Sequence, residues 1–245
     1  MLFRSLVTTC GLNSFGPARG DEGLHGSFSH LPARDVRWRT QIEDGETRIE
    51  LTATIDSVQL FGPSFTLQRE IVSTLDAYDA ATLRIRDHVT NVGVEPAPVS
   101  ALYHLNFGAP LVVPGTTVTV DAASVTMREA CNEVASPGFL PQVTRTLTEA
   151  VFEHIGVEPD AAGFGQAQIR NPGIGLEVTV QWHLSSLPRL LQWVFPTRDR
   201  WALGIEPANA PLFGPDRDRV NAGAPVLAPG ESCDFEVVIT VQEIT

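Results

Sequence analysis

A two-residue hydrophobic period recurs along most of the chain and constrains the fold more than any other feature. Over residues 48–56, polar side chains alternate with the apolar side chains of Ile49, Leu51, Ala53 and Ile55. The same alternation recurs over residues 83–89, 176–184 and 235–241. Because successive side chains of a strand point to opposite faces, this period predicts strands that each bury one face. Four such segments predict an antiparallel β-sheet protein.

Turn-forming residues separate the alternating segments. The chain contains 20 Gly and 18 Pro, and many of them lie between predicted strands, as in Phe61-Gly62-Pro63, Val113-Pro114-Gly115 and Ala228-Pro229-Gly230. With 245 residues and 43% hydrophobic side chains, the chain can bury one large core. We therefore expect a single all-β domain over residues 1–245, built as a large antiparallel β-sandwich.

The charge balance limits the partners that the chain can have. There are 17 Lys and Arg against 29 Asp and Glu, which gives a net charge of -12. Such a charge repels nucleic-acid phosphates and anionic membrane surfaces, so neither is expected as a partner. Apolar runs such as Ala109–Val113 are too short to span a bilayer, and the N-terminus lacks the pattern of a secretion signal. These features favour a cytoplasmic protein.

The three cysteines indicate neither a disulfide framework nor a metal site. Cys10, Cys131 and Cys233 are far apart and form no CxxC pair, so we expect buried free thiols. The sequence also contains no GxxxxGK[ST] loop and no GxGxxG following a strand. No metal and no cofactor is therefore predicted.

Three short motifs contain the residues best suited to chemistry. They are Leu24-His25-Gly26, the segment Tyr103-His104-Leu105-Asn106-Phe107-Gly108, and Gly204-Ile205-Glu206-Pro207-Ala208-Asn209. On strand geometry His104 and Asn106 share one face. Glu206 ends an apolar segment, where burial would raise the pKa of its carboxyl group. An imidazole and a carboxylate together can supply general acid and base catalysis.

In this order and spacing, the three motifs resemble the active-site motifs of the aldose 1-epimerases, and most closely an uncharacterised bacterial branch of that galactose mutarotase-like superfamily. The resemblance implies a β-supersandwich, here lacking some N-terminal strands, and a mutarotase that interconverts the anomers of a small free sugar. It implies His104 as the general acid, Glu206 as the general base, and no metal or cofactor. It also implies sugar contacts from His25, Asn106, His30 and Asn209, although His30 could equally be a loop residue. The chain departs from the branch at Ser27 and Val194.

Two other functions are compatible with the same motifs. One is a non-catalytic carbohydrate-binding module on the same fold. The other is a hexose-phosphate 1-epimerase, which would need a basic cluster near the site, for which Arg34, Arg37 and Arg39 are candidates. Trp182, Trp193 and Trp201 could each stack on a sugar ring, although each of them more often belongs to the core. The sequence determines neither the identity of the sugar nor the oligomeric state.

Overall fold

A computed structural model describes residues 6–18, 23–75, 80–128, 136–140, 142–197, 201–218 and 223–244. Cys131 lies outside these ranges, and Cys10 and Cys233 are free thiols. The described residues form β-strands and two short 3-10 turns, Phe28–His30 and Pro215–Asp218. Within these ranges, no helix has the length and apolar character needed to cross a membrane.

The strands are numbered β1 to β16 in chain order. Their bounds are β1 Val7–Leu12, β2 Ala33–Glu43, β3 Glu46–Val58, β4 Ser64–Leu75, β5 Ala81–Asn91, β6 Ala97–Pro98, β7 Ser100–Gly108, β8 Thr117–Val120, β9 Ala122–Met127, β10 Ala150–Val157, β11 Phe164–Asn171, β12 Leu176–His183, β13 Arg189–Phe195, β14 Ala202–Ala208, β15 Val226–Leu227 and β16 Ser232–Glu243.

Two large sheets contain most of these strands. One has six strands in the order β1-β7-β14-β13-β10-β9, and the other has eight in the order β2-β3-β4-β5-β16-β12-β11-β8. A two-stranded ribbon pairs β15 with β6. Neighbouring strands of both large sheets run antiparallel, as in the pairs of β7 with β14 and of β5 with β16. The predicted all-β antiparallel sandwich is confirmed.

The main core lies between the two large sheets. Leu67 and Val237 of the eight-stranded sheet belong to the same buried cluster as Leu105 and Ile205 of the six-stranded sheet. Burial of their apolar surface stabilises the sandwich, and the two-residue period in the sequence provides one such face per strand.

The six-stranded sheet is also buried on its other face. There Leu102 and Leu191 form a second apolar cluster with Phe15 and Leu212, which come from loops after β1 and β14. Residues of the central strands are therefore shielded on both sides of this sheet. A polar side chain on the loop-covered face lies in a partly dry environment without facing the main core.

A buried charged network connects the two sheets beside β7. Arg69 donates from Nε to Asp87 at 2.7 Å and from Nη2 to the Thr9 hydroxyl at 2.7 Å. The Tyr103 hydroxyl donates to the same carboxylate, which is 1% exposed. These bonds satisfy a buried charge pair that would otherwise be costly. They also attach β1 and β7 to β4 and β5, which holds the strand that carries His104.

Candidate active site

The pairing of β7 with β14 brings His104 and Glu206 together. The register pairs Ile205 with Leu105 and Ala208 with Leu102, so Glu206 lies opposite His104 on the neighbouring strand. Directly opposed side chains on adjacent antiparallel strands have Cβ atoms about 5 Å apart. Both side chains point away from the main core, because their neighbours Leu105 and Ile205 point into it.

His104 and Glu206, named the acid–base pair below, are in close contact. Nε2 of His104 lies 3.1 Å from Oε1 of Glu206, and the two residues are 7% and 2% exposed. Gly204 leaves the room for this contact. A Cβ atom added at Gly204 would lie 2.5 Å from Oε1 of Glu206 and 3.0 Å from Cε1 of His104. The glycine of this motif is therefore required by packing and not by a turn.

Burial shifts the pKa values of the pair in opposite directions. Loss of hydration raises the pKa of Glu206 to about 8; nearby Arg128 lowers it and Glu149 raises it by smaller amounts. Loss of hydration lowers the pKa of His104 to about 4; the neighbouring His25 lowers it further, and a hydrogen bond with Asn106 acts in the opposite direction. Between these two values the pair holds one proton.

His25 is presented to the pair by a tight turn. Its backbone φ is 64°, and that of Gly26 is 72°. A Cβ atom at Gly26 would lie 2.3 Å from the carbonyl oxygen of Ser14, so only glycine fits beside that backbone. Nδ1 of His25 accepts a hydrogen bond from the backbone N–H of Gly16 at 3.4 Å. The neutral ring consequently carries its proton on Nε2.

A cavity of about 510 Å³ opens over the acid–base pair. This volume is in the range of small-molecule sites in proteins. The rings of His25 and Trp193 lie 5.6 and 5.7 Å from that of His104, each edge-on to it. Arg128 and Glu149 also line the cavity. Glu149 accepts a hydrogen bond from Nε1 of Trp193 at 3.0 Å and forms an ion pair with Arg128 at 3.3 Å.

The profile of a protein family described as a domain of unknown function, DUF4432, matches residues 2–241. The chain belongs to this family. A comparison with curated proteins gives no match.

Solved structures similar to this DUF4432 chain share its fold. A Klebsiella pneumoniae protein provisionally named an aldose 1-epimerase has a TM-score of 0.87 and 20% identity, with 99% of this chain and 64% of that chain covered. The chain thus spans less than two thirds of that relative. A galactose mutarotase-like protein from Clostridium acetobutylicum has a TM-score of 0.60 and 15% identity, with 90% and 69% covered. An aldose epimerase homologue from C. elegans has 0.54 and 14%, with 85% and 69% covered. At these identities the likeness establishes the galactose mutarotase-like sandwich fold.

The fold brings four of the six predicted site residues to one cavity. His25, His30, His104 and Glu206 line it. The side chain of Asn209 does not; it accepts from the backbone N–H of Ala101 at 2.8 Å and donates to the carbonyl of Val99 at 2.9 Å, and so connects β14 to the start of β7.

Asn106 also lies outside the lining of the cavity. Its amide donates to the backbone carbonyl of His104 at 3.2 Å, within β7. The side chain of Asn106 is thus bonded to the backbone of the strand that carries His104 and does not line the cavity.

The two departures from the bacterial branch lie away from the cavity lining. Val194 is fully buried in the main core, on the opposite face of β13 from Trp193. Ser27 is exposed and precedes the short 3-10 turn. Neither residue lines the cavity.

Two lining residues were not indicated by the sequence. Arg128 directly follows β9 and Glu149 directly precedes β10, and both belong to segments without a recognisable motif. They meet because β9 and β10 are paired, with Phe152 opposite Met127. Of the three tryptophans that could stack on a sugar or belong to the core, Trp193 lines the cavity, and Trp182 and Trp201 belong to the main core.

The arginines proposed for a phosphate site lie on the other sheet. Arg34, Arg37 and Arg39 belong to β2, and none of them lines the cavity. Arg34 is hydrogen-bonded to Asp56 at 2.5 Å, and Arg39 is paired with Glu50. These residues therefore do not supply the basic cluster that a sugar phosphate would require at this site.

A larger depression, of about 810 Å³, lies on the eight-stranded sheet. Its charges are largely paired with one another. Arg86 lies 3.7 Å from Glu70 and 3.4 Å from Glu236, and Nδ1 of His88 lies 2.7 Å from Asp234. The lining resembles a solvated, ion-paired sheet face. The smaller cavity, with its buried acid–base pair, is the better candidate for chemistry.

Proposed function

We propose that this chain is a cofactor-free mutarotase that interconverts the anomers of a small free aldose. The observation that supports this most strongly is the buried contact of 3.1 Å between His104 and Glu206 under an open cavity. Such a pair can both remove and deliver a proton, which is all that opening a cyclic hemiacetal requires. The fold shared with proteins named as aldose epimerases and mutarotases points to the same chemistry.

In the proposed reaction, Glu206 takes the proton of the anomeric hydroxyl while His104 delivers a proton to the ring oxygen. The bond from the anomeric carbon to the ring oxygen breaks as the carbonyl forms. Rotation of the aldehyde group and reclosure by the reverse transfers give the other anomer. Both oxygens are bonded to the same carbon, so an acid and a base lying side by side can reach them, and the sugar need not lie between the two.

The acid–base pair shares one proton, and moving that proton from Glu206 to His104 gives Glu206 the role of base and His104 the role of acid. In the free site the higher pKa belongs to Glu206, so the proton resides on its carboxyl group. A sugar hydroxyl that donates to Glu206 stabilises the carboxylate, and the proton passes across the 3.1 Å contact to His104. The pair is then in the state that the reaction needs, without a change in its total charge.

The remaining lining residues suit a sugar. The proton on Nε2 of His25 can be donated to a sugar oxygen, which would hold charge near the ring. Trp193 offers an aromatic face to the C–H side of a pyranose, and Glu149 holds its indole in place. Arg128 forms an ion pair with Glu149 and can donate hydrogen bonds to sugar hydroxyl groups. Cys10 has no role in the proposed reaction, because burial and the nearby Glu206 raise the pKa of its thiol and keep it protonated.

The test is NMR exchange spectroscopy of anomeric protons for a panel of free aldoses. We expect accelerated exchange for at least one sugar with the wild-type protein, and loss of at least about 10²-fold in Glu206→Gln and in His104→Asn. His88→Gln is the matched control, because His88 lies on the eight-stranded sheet and does not line the cavity.

Other outcomes would replace the proposal. Saturable sugar binding without accelerated exchange would indicate a non-catalytic carbohydrate-binding module. Exchange confined to phosphorylated sugars would indicate a hexose-phosphate 1-epimerase. Unchanged exchange in Glu206→Gln would remove the carboxylate from the mechanism.

A further inference from the structure

The eight-stranded sheet ends in a long, exposed edge strand. β2 is the terminal strand of the sheet, and all eleven of its residues are exposed. The opposite edge, β8, has only four residues. An edge strand presents unpaired backbone N–H and C=O groups along one side, so β2 offers a template for a further strand.

The side chains of β2 are unusual for a solvated edge. Trp38 is 72% exposed and Ile42 is 76% exposed, and both lie on the same face of the strand. Soluble proteins usually protect such edges with charges, proline, bulges or short length. The segment of β2 that pairs regularly with β3, residues 37–43, contains no proline and no register shift. Exposed apolar side chains on an open, regular edge suggest that another strand covers it.

The sequence of β2 is complementary to itself in one antiparallel register. If Thr40 lies opposite its own copy across a two-fold axis, Trp38 of each chain lies opposite Ile42 of the other. On the other face, Arg37 lies opposite Glu43, and this pair occurs twice because of the symmetry. In the neighbouring register centred on Trp38, Arg37 would instead oppose Arg39. Cross-strand apolar and opposite-charge pairs stabilise a ladder, whereas like charges oppose it.

We infer that a second copy of this chain pairs with β2 and forms a two-fold symmetric dimer with a continuous sheet across both copies. The interface rests on β2 alone and is independent of the proposed activity. Arg37 and Glu43 have no ion-pair partner among the described residues, so both are available for the partner, whereas Arg39 is already paired with Glu50. Isologous pairing uses the β2 edge of each copy and so closes the assembly at two.

Charge exchange at the two ends of this register tests the inference. Sedimentation velocity of the full chain over roughly 1–300 µM should show a reversible dimer, as expected for a small interface. Arg37→Glu and Glu43→Arg should each raise the dimer Kd at least about 10-fold, because each places two like-charge pairs across the axis. The double variant should recover the dimer. An equimolar mixture of the two single variants should also recover it, because every 37–43 contact in the mixed dimer joins opposite charges.

The matched control is Glu158→Arg, a charge reversal at an exposed residue following β10, which should leave the Kd unchanged. A monomer at every concentration overturns the inference. So does a dimer that the single reversals do not weaken, or one that neither the double variant nor the mixture restores.

A crosslink provides a second test that does not depend on charge. In the proposed register the two copies of residue 40 face each other with Cβ atoms about 5 Å apart, whereas the two copies of residue 41 are diagonal neighbours about 7–8 Å apart. Under mild oxidation, Thr40→Cys should therefore give a disulfide dimer far faster than Gln41→Cys. Equal crosslinking of the two variants would exclude this register.

Discussion

Replacing Glu206 by Gln should change the way stability depends on pH, whatever the protein catalyses. The carboxyl pKa rises from 4.5 to about 8 on folding, chiefly because the group loses hydration. Above pH 4.5 the unfolded chain releases this proton and the folded chain retains it until about pH 8. The folded state then binds more protons than the unfolded state, so the stability contributed by this group falls as pH rises. Gln has nearly the same shape and carries no titrating proton.

The size of the change in stability follows from the shift in the pKa of Glu206. Each pH unit between the two pKa values changes the free energy of unfolding by about 1.4 kcal/mol per proton. From about pH 5 to about pH 8, the stability of Glu206→Gln relative to wild type should therefore rise by about 4 kcal/mol. The pKa of His104 falls from 6.5 to about 4 on folding, so the stability that His104 contributes rises with pH up to about 6.5. This contribution is present in both proteins and cancels in the difference between Glu206→Gln and wild type.

Urea denaturation of both proteins at the two pH values measures this double difference. Glu158→Gln is the control, because it removes an exposed carboxylate, and its relative stability should change by less than about 0.5 kcal/mol. A pH-independent difference between Glu206→Gln and wild type would show that Glu206 is ionised in the folded protein at neutral pH. The one-proton description of the acid–base pair would then be wrong.

Three further predictions concern activity, measured by anomeric-proton exchange on the sugar that the panel identifies. Gly204→Ala places a methyl group 2.5 Å from the carboxylate of the pair and should lower the rate on the order of 10²-fold. Gly108→Ala is the control and should have little effect, because its methyl group meets only a carbonyl oxygen at 3.6 Å. Equal losses of rate in the two variants would refute the packing argument. The rate should be bell-shaped in pH, with an acid limb near pH 4 and a basic limb near pH 8, because activity needs one proton on the pair; a profile flat across this range would contradict that requirement. Glu149→Gln removes a negative charge that raises the carboxyl pKa of the pair, so the basic limb should move to lower pH, and a limb that stays in place would exclude this coupling.

The local alternation of the sequence was sufficient for the fold class. Ile49, Leu51, Ala53 and Ile55 were predicted to share a buried face, and β3 carries them on one face, with Ala53 and Ile55 buried. Ile49 is 45% exposed, because it lies towards the turn between β2 and β3 and outside the buried cluster between the sheets. The prediction of two packed antiparallel sheets did not depend on knowing which strands were neighbours.

The placement of the candidate site residues could be predicted only in part. Each of the three motifs contributes at least one residue to the cavity, namely His25, His104 and Glu206. Asn106 and Asn209 belong to the same motifs, yet their side chains hydrogen-bond backbone groups and do not line the cavity. Their catalytic or binding roles, like those of the cavity residues, stay predictions until the variants are measured.

What the sequence by itself determined is periodic and local: strands with one apolar face, turns between them, and polar residues such as His104 and Glu206 set within apolar segments. What only the tertiary structure decided depends on which strands pair and in what register. The pairing of β7 with β14 places the imidazole and the carboxylate 3.1 Å apart, and the pairing of β9 with β10 brings Arg128 and Glu149 to the same cavity. Strand neighbours are chosen by the packing of the whole sandwich, because residues far apart in the chain must bury their faces together. The protonation of the pair is decided there too, since desolvation is a property of the assembled site and not of the residue type.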